Sequence, residues 1–204
     1  MESFDSRAKS WDDNPMHLDR SMAIAEKMRS NIRLHKKMSA LEYGAGTGIL
    51  SFLLKDELHD ITMMDNSREM VNVMNDKIKS TGSGNLHAIF CNLETATDAD
   101  KTYDLIFLQM VLHHVEKVND LLTLFNGLLN NSGTLAIADL YTEDGSFHGK
   151  EFTGHKGFDV EALSDMLSKI GFKNIRHQQC YSLKKIIDAG ESKEFPIFLL
   201  LAEK

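Results

Sequence analysis

Glu42-Tyr43-Gly44-Ala45-Gly46-Thr47-Gly48 sets a carboxylate against three glycines at alternate positions. Glycines let a backbone take positive φ and approach a ligand without a Cβ in the way. Ile49-Leu50-Ser51-Phe52-Leu53-Leu54 follows and reads as an amphipathic helix whose free N–H groups open into the same gap. The spacing is G-x-G-x-G, not the G-x-G-x-x-G of dinucleotide binders. Glu42 would repel a pyrophosphate and suits a ligand carrying an amino group or hydroxyls. Taken alone, such a turn can equally join a strand to a helix with no ligand. Asp65 changes the balance: it ends the apolar run Ile61-Thr62-Met63-Met64, 21 positions after Gly44. An acid at that distance, on a strand's carboxyl end, accepts two ribose hydroxyls. Its bland alternative is the N-cap region of a helix starting near Arg68, with Asn66 and Ser67 between.

Four histidines form the second group of candidates: His113 and His114 after the run Tyr103–Gln109, and His148 and His155 in the long stretch from Tyr141 to Asp159. Imidazole titrates near neutral pH and can take a proton from an oxygen or carbon acid. His148 and His155 stand among Phe147, Phe152 and Phe158, a composition suited to an acceptor pocket; a solvated loop, with Phe158-Asp159 as staple and N-cap, is the other reading. Tyr43 closes a pocket or merely occupies the turn. No Cys/His spacing reads as zinc, so no metal is expected. Cys91 and Cys180 read as buried, reduced thiols.

The elements that must position these groups alternate. Strands are expected at 38–43, 60–64, 86–91, 103–109, 133–140, 174–181 and 196–202, and helices at 48–57, 67–79, 117–130 and 159–170. Alternation of this kind predicts a parallel sheet covered on both faces, with ligands at the strands' carboxyl ends. Met16 to about His35 predicts a further helix, burying Leu18, Met22, Ala25, Met28 and Ile32 on one face. The charged stretch 182–195 reads as a surface hairpin connection.

At this point the chain resembles the class I S-adenosylmethionine-dependent methyltransferases, small-molecule branch. Glu42–Gly48 is similar to that family's first motif and Asp65 to its second-strand acid. Tyr103–Val115 is similar to its fourth strand and turn, and Leu129–Asp139 to its fifth. The resemblance covers about residues 38 to 180. It implies an α/β fold: a Rossmann-like, seven-stranded, mostly parallel sheet with an antiparallel last strand. It also implies one domain over 1–204, with 1–37 as a helical lid and 38–204 as the core. The implied cofactor is S-adenosylmethionine, with Glu42 on its amino group and Tyr43, Gly44, Ala45, Gly46 and Gly48 along its backbone cradle. Asp65 and Asn66 would take the ribose, Asn92 and Leu93 the adenine, and Gln109 a place at the fourth strand's end. Asn92 stands where the family usually has an acid, so its bond to adenine lacks charge assistance. His113, His114, His148 and His155 are the catalytic candidates, and the implied reaction is in-line methyl transfer to a small organic acceptor. Gln109-Met110-Val111-Leu112 replaces the Asn-Pro-Pro-Tyr of the nucleic-acid branches.

Composition sets the remaining bounds. A formal charge of −7 and a pI near 5.7 argue against a nucleic-acid partner. No apolar run is long enough to span a membrane, and the first residues lack a signal peptide's pattern, so the cytoplasm is expected. A cofactor binder without catalysis, a protein side-chain methyltransferase and an NAD-dependent oxidoreductase are the rivals; the glycine spacing and Glu42 oppose the last.

Overall fold

The computed structural model describes residues 4–91, 101–149, 151–187 and 190–204. Helix α1 (Phe4–Arg7) and a 3-10 turn (Ala8–Asp13) lead into α2 (Pro15–Asn31). The chain then alternates: β1 (Ser39–Tyr43), α3 (Ile49–Leu54), β2 (Asp60–Asp65), α4 (Arg68–Thr81), β3 (Leu86–Phe90) and β4 (Tyr103–Gln109). A short 3-10 turn, Leu112–His114, precedes α5 (Val118–Leu128), β5 (Leu129–Leu140), α6 (Val160–Ile170), β6 (Lys173–Ile186) and β7 (Ser192–Glu203). The seven strands form one sheet in the order β3-β2-β1-β4-β5-β7-β6. All pairs up to β4–β5 are parallel, and β7 runs antiparallel to both its neighbours. The expected Rossmann-like architecture is therefore present.

Side chains of the central strands alternate between two buried layers. Phe107 packs with Ile24 and Met28 of α2, Leu50 of α3 and Met74 of α4; Ile106 and Leu108 pack with Leu122 and Phe125 of α5 and Leu167 of α6. Burial on both faces is why these strands read as continuous apolar runs. The order reverses direction at β1, which lies between β2 and β4. The crevice at that reversal, beyond the strands' carboxyl ends, is where ligands bind in open α/β sheets. Asp159 caps α6 by accepting from the Glu161 and Ala162 amides at 3.0 and 3.1 Å, as expected.

Three expectations need correction. The connection at 182–195 is a hairpin as expected, but its strands are longer than expected: β6 and β7 extend through most of it. Leu183 is buried opposite Phe195, while Lys184 and Glu194 pair at 3.1 Å on the outer face. The charges mark a half-buried hairpin, not a loop. Helix α2 is rotated relative to its predicted face: Leu18 and Met22 are exposed, whereas Arg20, Ser21, Ile24, Ala25 and Met28 are buried. Cys91 is only half-buried, whereas Cys180 is buried as expected. No helix among the described residues is long and apolar enough to cross a membrane.

Candidate active site

The glycine turn and Asp65 meet at the crevice. Gly44, Gly46 and Gly48 all have positive φ, at 65°, 58° and 79°. The requirement is strictest at Gly44, where a Cβ would lie 2.5 and 2.7 Å from the Val111 methyl carbons. Asp65 accepts the Gly46 amide on Oδ2 at 2.7 Å and the Ser67 amide on Oδ1 at 2.8 Å. One carboxylate thus ties the glycine turn of β1 to the end of β2. A carboxylate offers about four lone-pair positions, so two remain for hydroxyl donors. Burial raises the Asp65 pKa, and the amide donors work against that rise. Ser67, not Asp65, is the N-cap of α4, accepting the Met70 amide at 3.2 Å.

Glu42 lies beneath the turn and is fully buried. Its Oε2 accepts the Ser51 hydroxyl and, at 3.2 Å, the Ser51 amide; its Oε1 is buried without a partner among the described residues. Burial pushes Glu42 up to about 8, against the pull of the Ser51 hydrogen bonds.

The N-terminal segment closes over this wall. Ser67 donates its hydroxyl to Asp5 at 2.5 Å; Thr47 donates to Asp12, and Lys77 pairs with Asp12 at 2.8 Å. The Ser21 hydroxyl lies 2.8 Å from the His17 carbonyl and 3.1 Å from the Gln109 side-chain Oε1. Arg20 is buried, with Nε unpartnered among the described residues. Desolvation lowers it to about 10, opposed by the negative charge of Asp139. A buried guanidinium with an idle donor fits an anionic ligand group.

The opposite wall carries histidines. Met110 has φ 56° and donates its amide to Ala138 at 2.8 Å, so the chain turns sharply off β4. The turn returns His113 to the end of β5, where Nδ1 lies 2.6 Å from Asp139 Oδ1. His113 is 1% exposed and Asp139 0%. His113 Nε2 is 2.9 Å from His148 Nε2, and His148 stacks on Phe152 at 4.1 Å. Burial first, then the neighbouring His113 and His114 rings, pull His148 down to about 3; burial and then the His113 ring lower His114 to about 4.

These groups border one cavity of about 640 Å³, within the range typical of small-molecule sites. Tyr43, Gly44, Ala45, Gly46, Asp65, Asn66, Gln109, His113, His114 and His148 line it. Glu42 and Gly48 do not, each lying behind the turn. His155 is also apart from the lining, its Nε2 3.0 Å from the Val115 carbonyl and its amide bonded to the His113 carbonyl at 2.8 Å. Asn92 and Leu93 fall outside the described residues. Sequence reasoning missed Arg20, Arg7, Trp11, His17 and Lys185, all of which line the cavity. Arg20 left one signal, an interruption of the apolar stripe of α2.

Comparison with known proteins agrees with this fold. A family model described as "Methyltransferase domain" matches residues 34–188. An uncharacterized methyltransferase of Schizosaccharomyces pombe, C1347.09, is 25% identical over 154 residues, covering 67% of this chain and 54% of its own. The chain therefore spans about half the length of that curated relative. A SAM-dependent methyltransferase from Aquifex aeolicus superposes with a TM-score of 0.69 at 18% identity, covering 98% of this chain and 97% of that one. The DhpI–SAH complex superposes at 0.74 with 17% identity, covering 98% and 92%. At these identities the superpositions speak for the fold.

Proposed function

The chain belongs to the methyltransferase-domain family, and from that membership we propose that it binds S-adenosylmethionine and transfers its methyl group to a small organic acceptor. The observation that carries the proposal is Asp65: it anchors the Gly46 and Ser67 amides while facing the cavity with its remaining lone pairs. Those lone pairs take the ribose hydroxyls, with Asn66 beside them. Gly44, Ala45 and Gly46 let the backbone approach the cofactor, and Tyr43 and Gln109 border its methionine end. The idle donor of Arg20 suits the methionine carboxylate, and Glu42, outside the lining, would reach the amino end only through water. The bound cofactor supplies an activated methyl on a sulfonium, so the protein has chiefly to orient the partners and exclude water.

The chain's own contribution follows from its two walls. The segment Phe4–Asp13 acts as a lid, held by Asp5 on Ser67 and Asp12 on Thr47. His113, His114 and His148 border the acceptor and orient it. Asp139 fixes the ring of His113 through Nδ1. The cavity's volume and its aromatic border favour a small acceptor over a polymer. Calorimetric titration with S-adenosylhomocysteine tests the reading. Binding in the micromolar range, with a raised melting temperature, is expected; no heat and no thermal shift at millimolar ligand removes it.

A further inference from the structure

One ring nitrogen from each of His113, His114 and His148 lies within 4.8 Å of the others. The three residues come from two segments brought together only by the fold: the turn after β4 and the loop after β5. Two of the nitrogens, the Nε2 atoms of His113 and His148, already stand 2.9 Å apart. An N–H···N hydrogen bond between neutral rings accounts for the His113–His148 contact but leaves the His114 nitrogen outside it. A single proton bridges only two nitrogens. A metal ion engages all three. Zinc binds imidazole at about 2.0–2.1 Å, which places tetrahedral donors about 3.3 Å apart. The His113–His148 pair is close to that spacing, and the His114 ring needs only a modest swing to reach it.

What stands behind the cluster supports the same conclusion. Metal-bound histidines characteristically donate their other ring N–H to a carboxylate, which fixes tautomer and orientation. His113 does this through Nδ1 to Asp139 at 2.6 Å. Asp139 is itself held by the Leu140 amide at 2.7 Å and the His113 amide at 3.3 Å. Phe152 stacks on His148 and meets His114 edge-on at a centroid distance of 5.2 Å, so both rings have apolar support.

We propose that His113, His114 and His148 form a site for a divalent transition-metal ion, zinc foremost, with a coordination position open to the cleft. Three imidazoles and an open position constitute the donor set of a catalytic rather than a structural zinc site. The open position takes a hydroxyl or thiol oxygen or sulfur, whose proton passes to solvent on coordination. The ion, rather than any one imidazole, then supplies the deprotonation. Metal binding stands independently of the methyl-transfer reading; the use of the open position rests on it. The local spacing of Cys and His in the sequence pointed to no zinc, because the third ligand lies on a distant loop.

The test uses the full chain, stripped with a chelator. Zn²⁺ is titrated by calorimetry and Co²⁺ by visible absorption. About one ion per chain and the intense visible bands of low-coordinate cobalt are expected. Asp139→Asn should weaken binding about 10–100-fold, as loss of an outer carboxylate does. His148→Gln and His114→Gln should each cost more than that, with circular dichroism confirming the fold. His114 is at the solvent-facing edge of the cluster, so its variant answers the question if His148→Gln fails to fold. No uptake, or uptake unchanged in the glutamine variants, overturns the site. S-adenosylhomocysteine titrated into the stripped chain separates the two claims. Heat there without zinc uptake overturns the metal site alone; zinc uptake without that heat supports the site and removes methyl transfer.

Discussion

On the β1–β2 wall, the Asp65 carboxylate holds the Gly46 and Ser67 amides. On the β4–β5 wall, His113, His114 and His148 meet through side chains supported by Asp139 and Phe152. The first wall is shaped before any ligand arrives, because its hydrogen bonds are made within the turn itself. The second has its ring nitrogens facing one another and depends on the length and path of the loop after β5. Under the proposed function, the contrast divides the work: cofactor binding falls to the backbone, and the chemistry particular to the acceptor to side chains on a loop. Rigid scaffolds with functional residues on connecting segments follow this division generally.

Gly44→Ala should have the largest effect on the first wall. The new Cβ would meet the Val111 methyls at 2.5 and 2.7 Å. The left-handed backbone adds about 1–2 kcal/mol of strain for any residue with a Cβ. Relief requires moving either the turn or Val111, and Val111 begins the segment that carries His113. A loss of at least about 100-fold in S-adenosylhomocysteine affinity is expected by calorimetry, from about 3 kcal/mol of combined clash and strain. Retention of wild-type affinity would mean that the turn adapts and that the preformed wall is not preformed. Asp65→Asn comes next. An amide oxygen cannot replace both carboxylate oxygens toward Gly46 and Ser67 while also receiving hydroxyls. Loss of hydrogen bonds to a charged acceptor is worth about 1.5–3 kcal/mol, or roughly 10–150-fold in affinity. An affinity within twofold of wild type would detach Asp65 from the cofactor.

The same contrast explains what could be read from the sequence. Glycines at alternate positions and an acid ending the next strand are neighbours in the chain or nearly so, and each needs only local geometry to acquire meaning. The alternation of strands and helices was legible because buried parallel strands carry long apolar runs between helical stripes. The histidine cluster was visible only as separate residues. His113 and His114 stood at the right strand end, but nothing local shows that His148 folds back to them while His155 turns to the Val115 carbonyl. Arg20 was hidden for a related reason. A buried cation facing a cavity breaks the apolar periodicity of α2, and the stripe was therefore drawn through Leu18 and Met22, which are exposed. Lys184 and Glu194 misled in the opposite direction, since a cross-strand ion pair on a hairpin has the composition of a loop.

Glu42→Gln gives the smallest expected effect and the finest test of the preformed wall. Burial raises the Glu42 pKa to about 8, whereas an unfolded glutamate titrates near 4.3. Between those values the folded chain keeps a proton that the unfolded chain has lost. The unfolded state then binds fewer protons, so stability falls as pH rises through this window. Glutamine carries no such proton and retains an oxygen for the Ser51 hydroxyl and amide. The ligand-free variant should therefore lose less stability than wild type between about pH 5 and 8, as read by denaturant midpoints at several pH values. At the upper end it should equal or exceed wild type. Parallel pH profiles for the two proteins would show that Glu42 is ionised in the folded chain, held by a donor near Oε1. The first wall would then resemble the second in being completed by something other than its own backbone.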